Sequence, residues 1–196
     1  MKIKVSDYIL QFLESKGIDT AFCITGGAAA HLLESTRTSG LKVIHNYNEQ
    51  ACAMAADGYA RIAKKPALVL VTNGPGSSNA ITGVLGAWQD SIPMFVVSGQ
   101  VPRHQTLSRD PNKLRQLGLQ EADIISMVEH CTNYAVQLHN TNMIKYELEK
   151  AWALATSGRM GPVWIDVPID VQAELIDPDA QIGYTDPVKA TSTITP

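Results

Sequence analysis

The sequence predicts an α/β fold: a doubly wound, mainly parallel sheet of about six strands, flanked by helices in three layers. Three observations carry this. Apolar stretches of strand length alternate with stretches of helical period along most of the chain. The strand candidates, above all "PALVLVTN", are near-continuous apolar runs, the pattern of strands covered on both faces. Glycine-rich turns follow such runs at Gly26-Gly27 and at Gly74-Pro75-Gly76. In open parallel sheets, ligands bind outside the carboxyl ends of the strands, which is where these turns fall.

The elements follow in order. "VSDYILQFLESKG" is a helix: Ser6 or Asp7 is the expected N-cap, Ile9, Phe12 and Leu13 share one face, and Gly17 stops it. "DTAFCIT" is a short buried strand, and "AAAHLLEST" is a helix. "LKVIHNY" is the next strand, followed by "EQACAMAADGYARIAK", a helix of mostly small residues. After "PALVLVTN" and its Gly-Pro-Gly turn, a helix is expected from about Ser78 to Trp88, then the strand "PMFVVSG". Residues Gln100 to Gly118 are polar and read as a long loop, a length that is often functional in compact domains. "LQEADIISMVEH" is helical in pattern and "NYAVQL" strand-like. "TNMIKYELEKAWALATSG" is an amphipathic helix capped by Asn140, Thr141 or Asn142, and "GPVWIDVP" a final buried strand. The remaining tail loses apolar periodicity and gains Pro, Asp and Thr, so it reads as a linker.

Composition excludes several classes. A chain of 196 residues, 45% hydrophobic and 18% charged, is an ordinary globular domain with a sizeable core. A net charge of −3 with scattered basic residues gives no case for nucleic acid or an anionic membrane surface. No apolar run reaches the roughly 18 residues of a membrane span. Cys23, Cys52 and Cys131 are odd in number and widely spaced, which argues for buried free thiols rather than disulfides or structural zinc. These readings together point to the cytoplasm. The histidines His31, His130 and His139 lack metal-ligand spacing, His45 reads as structural, and no metal site is expected. His104, in the long loop, is the one histidine near candidate chemistry.

Glu49 stands at the junction of an apolar strand and a helix of small residues. A carboxylate there is commonly a cap that satisfies helix N–H groups and the helix dipole. The neighbours Ala51, Ala53, Ala55, Ala56 and Gly58 would instead let something large approach the helix backbone. A carboxyl group partly withdrawn from water holds its proton to higher pH, which suits exchange near neutrality. Asp57, inside the helix, reads as a solvated or paired surface charge. "NGPGSSN" is neither a dinucleotide fingerprint nor a Walker loop. Pro75 removes a donor, so the turn suits the flat face of a heterocycle better than a phosphate. A plain strand-to-helix turn capped by Ser77 or Ser78 is the alternative.

Taken together, "GGAAAHLLE", "NEQACAMAADGYAR", "TNGPGSSNAITGVLGAWQDSIPMFVVSGQV" and "LQEAD" resemble the N-terminal pyrimidine-binding domain of thiamine diphosphate-dependent enzymes, nearest the acetolactate synthase branch. The resemblance spans about residues 1 to 170. It implies a pyrimidine-binding domain over residues 1–172, with 173–196 a linker towards an absent central domain. It implies that Glu49 hydrogen-bonds N1′ of the cofactor's aminopyrimidine and favours its imino form. It further implies that Pro75 and Asn79 pack against that ring, that Gly26 and Gly27 bring backbone close to the reacting centre, and that Gln120 projects towards substrate. The reaction would be decarboxylation of a 2-keto acid with carboligation. Arg103 and Arg115, in a loop resembling the substrate entrance, are weaker candidates for meeting a carboxylate.

Two departures stand out. Asn48 replaces the histidine that commonly precedes the acid, and no G-D-G occurs to hold the Mg²⁺-diphosphate. The resemblance therefore implies that an absent domain holds Mg²⁺, that FAD belongs to some intact relatives, and that the full enzyme is a homodimer or homotetramer with sites between chains. The isolated chain would be inactive. An excised N-terminal domain and a natural subunit of a split 2-keto acid decarboxylase both fit, as does a non-catalytic assembly module of the same fold.

Overall fold

The computed structural model describes residues 1–107 and 114–185. The first half of the chain contains β1 (Ile3–Lys4), α1 (Val5–Ser15), β2 (Thr20–Cys23), α2 (Ala30–Thr36), β3 (Lys42–His45), α3 (Glu49–Ala63), β4 (Leu68–Val71), α4 (Pro75–Gln89) and β5 (Met94–Gln100). The second contains α5 (Ile124–Val128), β6 (Tyr134–Gln137), α6 (Ile144–Thr156), β7 (Pro162–Pro168), α7 (Ile169–Ala173) and β8 (Leu175–Ile176). The main sheet runs β3-β2-β4-β5-β7-β6, and every pairing in it is parallel. This is the expected doubly wound, three-layer α/β fold, with its six strands.

Strand alternation splits the core in two. In β4, Leu68 and Leu70 join Ile9, Leu13, Phe95 and Leu148 beneath α1 and α6. Val69 and Val71 join Ala53, Ala56, Val84, Val96 and Trp164 beneath α3 and α4. All four β4 side chains are fully buried, each stabilising the fold by about 1.5–3 kcal/mol. The helices α3 and α4 run side by side because small residues line their seam. A Cβ added at Gly83 would fall 2.6 Å from the Ala53 Cβ. That closeness brings the two helix N-termini together at the carboxyl edge of the sheet.

The strand order also fixes where a ligand can sit. The connection after β2 leads outward to β3, whereas that after β4 leads the other way to β5. The gap between the carboxyl ends of adjacent β2 and β4 is therefore the topological switch point.

Several local expectations are corrected. Helix α1 begins at Val5 with Lys4 as N-cap, so neither Ser6 nor Asp7 caps it. Instead the Ser35 hydroxyl lies within hydrogen-bond distance of both Ser6 Oγ and Asp7 Oδ1, linking α1 to α2. Helix α4 begins at Pro75 rather than Ser78, with Gly74 as N-cap and no side-chain cap. Proline tolerates that first helical position because its missing N–H has no partner to lose. The Ser77 hydroxyl donates back to the Thr72 carbonyl (2.5 Å), and that of Ser78 to the Pro75 carbonyl (3.2 Å). The helix expected from Leu119 shrinks to α5, because Asp123 caps it by accepting from the Ser126 N–H.

Beyond α7 the chain folds back: β8 pairs antiparallel with β1, and the Tyr184 ring meets Tyr146 edge-on at 5.3 Å. Residues 186–196 of the expected linker, and residues 108–113 of the expected entrance loop, lie outside the described residues.

Candidate active site

Glu49 is the first residue of α3, but it does not cap that helix. The cap is Asn48, whose side-chain oxygen accepts from the Ala51 N–H (3.2 Å). This accounts for the residue that departs from the expected histidine. With the cap supplied, the Glu49 carboxylate turns to α4, where Asn79 Nδ2 donates to Oε2 at 2.7 Å. The same carboxylate stands beside the first turn of α4. A Cβ added at Gly76 would lie 3.3 Å from Glu49 Oε1. Burial raises the Cys52 thiol pKa, and the nearby Glu49 charge adds to that.

The other expected site residues line a cleft of about 410 Å³ at the switch point. Gly26, Gly27 and Gln120 border it, with Thr72, Asn73, Val101 and Pro102. Glu49, Pro75 and Asn79 lie outside its lining. Thr72 joins the two groups, because a Cβ at Gly26 would fall 2.3 Å from Thr72 Cβ, and one at Gly76 would fall 2.7 Å from Thr72 Cγ2. The space at Gly27 is open, with nothing within 4 Å of an added Cβ.

Gln120 is not a helix residue. It sits in a turn with φ +53°, an uncommon conformation for a residue with a side chain. Two contacts hold it there. Asn73 Nδ2 donates to the Leu119 carbonyl at 2.9 Å, and Gly74 packs so closely that an added Cβ would fall 1.7 Å from the Gln120 carbonyl oxygen. The second half of the "LQEAD" motif is anchored as well, by Glu121 Oε1 accepting from the Leu107 N–H (2.9 Å).

Arg103 does not face the cleft as a free cation. Its Nε donates to Asp170 Oδ2 (2.8 Å), its Nη1 to the His139 carbonyl (2.9 Å), and its Nη2 to Glu174. It fastens the segment after β5 to α7. Arg115 is exposed, and His104 is exposed beside Gln105. His45 lies 3.3 Å from Cys23 Sγ. Sequence reasoning missed Thr72 and Asn73, and named Gly76 only as part of the Gly-Pro-Gly turn. Their signal was present in retrospect, since a buried Asn directly before a Gly-Pro-Gly turn has to donate to something.

The geometry can be set beside known proteins. A family model described as "Thiamine pyrophosphate enzyme, N-terminal TPP binding domain" matches residues 3–127. The chain is 35% identical over 180 residues to a chloroplastic acetolactate synthase of Arabidopsis thaliana, covering 90% of this chain and 25% of that protein. It is 34% identical over 187 residues to the acetolactate synthase large subunit of Haemophilus influenzae, covering 95% of this chain and 30% of that one. The Lactococcus lactis large subunit is 35% identical over 192 residues, covering 95% and 32%. The chain thus spans about a quarter to a third of the length of these relatives. Among the described residues, no helix is long and apolar enough to cross a membrane. With the fold, the cleft at the switch point and these likenesses in agreement, the chain belongs to the thiamine pyrophosphate enzyme family, as an N-terminal TPP-binding domain similar to that of acetolactate synthases.

Proposed function

We propose that this chain is the pyrimidine-binding part of a thiamine diphosphate-dependent enzyme that decarboxylates a 2-keto acid and joins the product to a second carbonyl. Residues 1–172 would form the pyrimidine-binding domain and 173–196 would lead towards a central domain. The observation that carries the reading is the disposition of Glu49. Asn48 takes the capping role, Asn79 engages Oε2, and the missing side chain of Gly76 leaves room beside Oε1. A carboxylate with one oxygen held and the other facing a side-chain-free helix turn fits a ring nitrogen that must gain and lose a proton.

Thiamine diphosphate, when bound, supplies the carbanion chemistry of decarboxylation and carboligation. The chain's own residues would do the rest. Glu49 would hold and return a proton at Oε1, and Asn79 would keep the carboxylate in one orientation. Pro75, exposed at the start of α4, would pack against the ring. Gly26 and Gly27 would let backbone come close to the reacting centre. Gln120, strained into the cleft wall, would meet the substrate. Strain of that kind costs about 1–3 kcal/mol and persists where the surroundings fix it.

The reading extends to Mg²⁺ on the diphosphate and to FAD in the intact protein, both held by domains outside this chain. Among the described residues, no group of three or more His, Cys, Asp or Glu side chains could hold a metal ion. It extends also to a homodimer or homotetramer. Met54, Leu85 and Trp88 are 49%, 40% and 36% exposed on α3 and α4, which supports a subunit contact over those helices. The isolated chain would then be inactive. The buried free thiols fit a reducing compartment such as the cytoplasm.

Glu49→Gln in the full assembly tests the reading. Loss of carboligation with assembly and cofactor uptake intact supports the proton role. Unchanged activity overturns it.

A further inference from the structure

Asp166 is a buried acid that the proposed chemistry does not use. It lies in β7 opposite Ser98 of β5 and Gln137 of β6, with no exposure to solvent. Its carboxylate accepts from three side chains. Ser98 Oγ donates to Oδ1 at 2.5 Å, while Gln137 Nε2 (2.7 Å) and Gln100 Nε2 (3.1 Å) donate to Oδ2. Trp164 Nε1 in turn donates to Ser98 Oγ at 2.8 Å. A core position on a central strand would be cheaper to fill with an apolar side chain. The arrangement therefore calls for an explanation beyond packing.

The explanation lies in what Gln100 does with its other atoms. Its Oε1 accepts from the Val101 N–H at 2.9 Å, and its Nε2 also donates to the Ala122 carbonyl at 3.3 Å. Val101 begins one wall of the cleft, and Ala122 follows the Gln120 turn that forms another. One amide thus braces two walls, and it can do so in only one orientation. The Asp166 carboxylate selects that orientation, because it offers only acceptors.

We propose that Asp166 is a positioning residue for the cleft, which through Gln100 holds the Val101–Pro102 wall and the Gln120 turn in place, and that proton uptake by Asp166 releases this brace. The donor count explains why. Both lone pairs of Oδ2 are taken by the Gln100 and Gln137 amides, so a proton there meets a donor, and a proton on the remaining lone pair of Oδ1 finds no acceptor in Ser98, Gln137 or Gln100 as they stand. Relief requires Ser98 to rotate away or a glutamine amide to flip. A flip of Gln100 removes the acceptor from the Val101 N–H and the donor from the Ala122 carbonyl together.

Burial pushes the Asp166 pKa up to about 6, against the hydrogen bonds from Ser98, Gln137 and Gln100. Asp123, at the cap of α5, raises it further through its charge. Ser98 and Gln100 on β5, Gln137 on β6 and Trp164 on β7, its other close neighbours, do not titrate in this range.

The test needs no cofactor, so its outcome stands apart from that of the Glu49 substitution. The chain is titrated from pH 8 to pH 4.5, and NMR follows the Trp164 indole N–H with the backbone amides of Val101 and Leu119–Ala122. The expected result is one midpoint near 6 shared by the indole and the cleft amides. Gln100→Ala should leave the indole transition and abolish that of the Leu119–Ala122 amides. Asp166→Asn, which puts a donor among donors, should give at pH 8 the cleft shifts that the unaltered chain shows at low pH. The proposal is overturned if the indole titrates while the cleft amides stay still. It is equally overturned if the cleft amides move only at a midpoint that the indole does not share. If a variant fails to fold, the titration of the unaltered chain decides alone.

Discussion

Gly74→Ala gives the sharpest check on how the cleft is built. Gly74 has φ +53° and ψ −116°, a combination that an L side chain adopts only at a cost of about 1–2 kcal/mol. The added methyl would also lie 1.7 Å from the Gln120 carbonyl oxygen. That oxygen is backbone and cannot swing aside as a rotamer would, so relieving the overlap adds about 1–3 kcal/mol. The total is about 2–5 kcal/mol, a large share of the 5–15 kcal/mol typical of a domain. Gly27→Ala is the internal control. Gly27 lines the same cleft, has no left-handed φ and has nothing within 4 Å of an added Cβ, so its cost should stay within about 0.5 kcal/mol. Urea unfolding of both variants measures the difference, and the Leu119 and Gln120 amide shifts report whether the turn has moved. A Gly74→Ala chain as stable as the Gly27→Ala chain would refute the reasoning.

Three more outcomes are expected. Arg103→Ala should cost about 1–2 kcal/mol and speed proteolysis near α7, because it leaves Asp170 and Glu174 without their shared guanidinium; an unchanged cleavage rate would show that the latch is idle. Stability should depend on pH through Asp166. Its raised pKa means the favourable contribution is full below about 4 and is lost as pH rises through about 6, a change of about 3 kcal/mol. Asp170 runs the other way: against the cost of burial, Arg103 holds its pKa down, so its contribution is lost as pH falls. The stability difference between the unaltered chain and Asp166→Asn isolates the first effect, and a difference constant from pH 4 to 7.5 would contradict it. Finally, all three thiols should resist a disulfide reagent in the native state and react on unfolding, since burial pushes Cys23 up to about 11 and raises Cys52 and Cys131 as well. Fast native labelling of any of them would place it at the surface.

The fold was legible because the sheet is buried on both faces. Runs such as Leu68–Val71 have no polar face to disguise them, and helices of clear period separate them. Helix ends were less legible. Ser6, Asp7, Ser77 and Ser78 all carry capping side chains, yet none caps; Lys4 and Gly74 stand at the N-cap positions instead. Ser35 on α2 engages the Ser6 hydroxyl and the Asp7 carboxylate, and the nearby Thr72 and Pro75 carbonyls take the hydroxyls of Ser77 and Ser78. Glu49 and the Gly26-Gly27 turn stood out by their places at strand ends, whereas Asn79 and Gln120 entered only through the resemblance. Their separation into a carboxylate beside α4 and a cleft at the switch point depends on the closeness of α3 and α4, which three-dimensional packing of Ala53 on Gly83 decides. Asp166 gave no signal, because "VWIDVP" reads as an apolar strand whatever the acid within it touches.

The most direct measurement concerns proton transfer itself. In the full assembly loaded with thiamine diphosphate, hydrogen–deuterium exchange at C2 of the bound thiazolium ring can be followed by quenched-flow NMR. If Glu49 moves the proton that activates the aminopyrimidine, Glu49→Gln should slow that exchange by about 10²–10⁴-fold while cofactor binding and assembly persist. An exchange rate equal to that of the unaltered protein, with the cofactor demonstrably bound, would contradict the account.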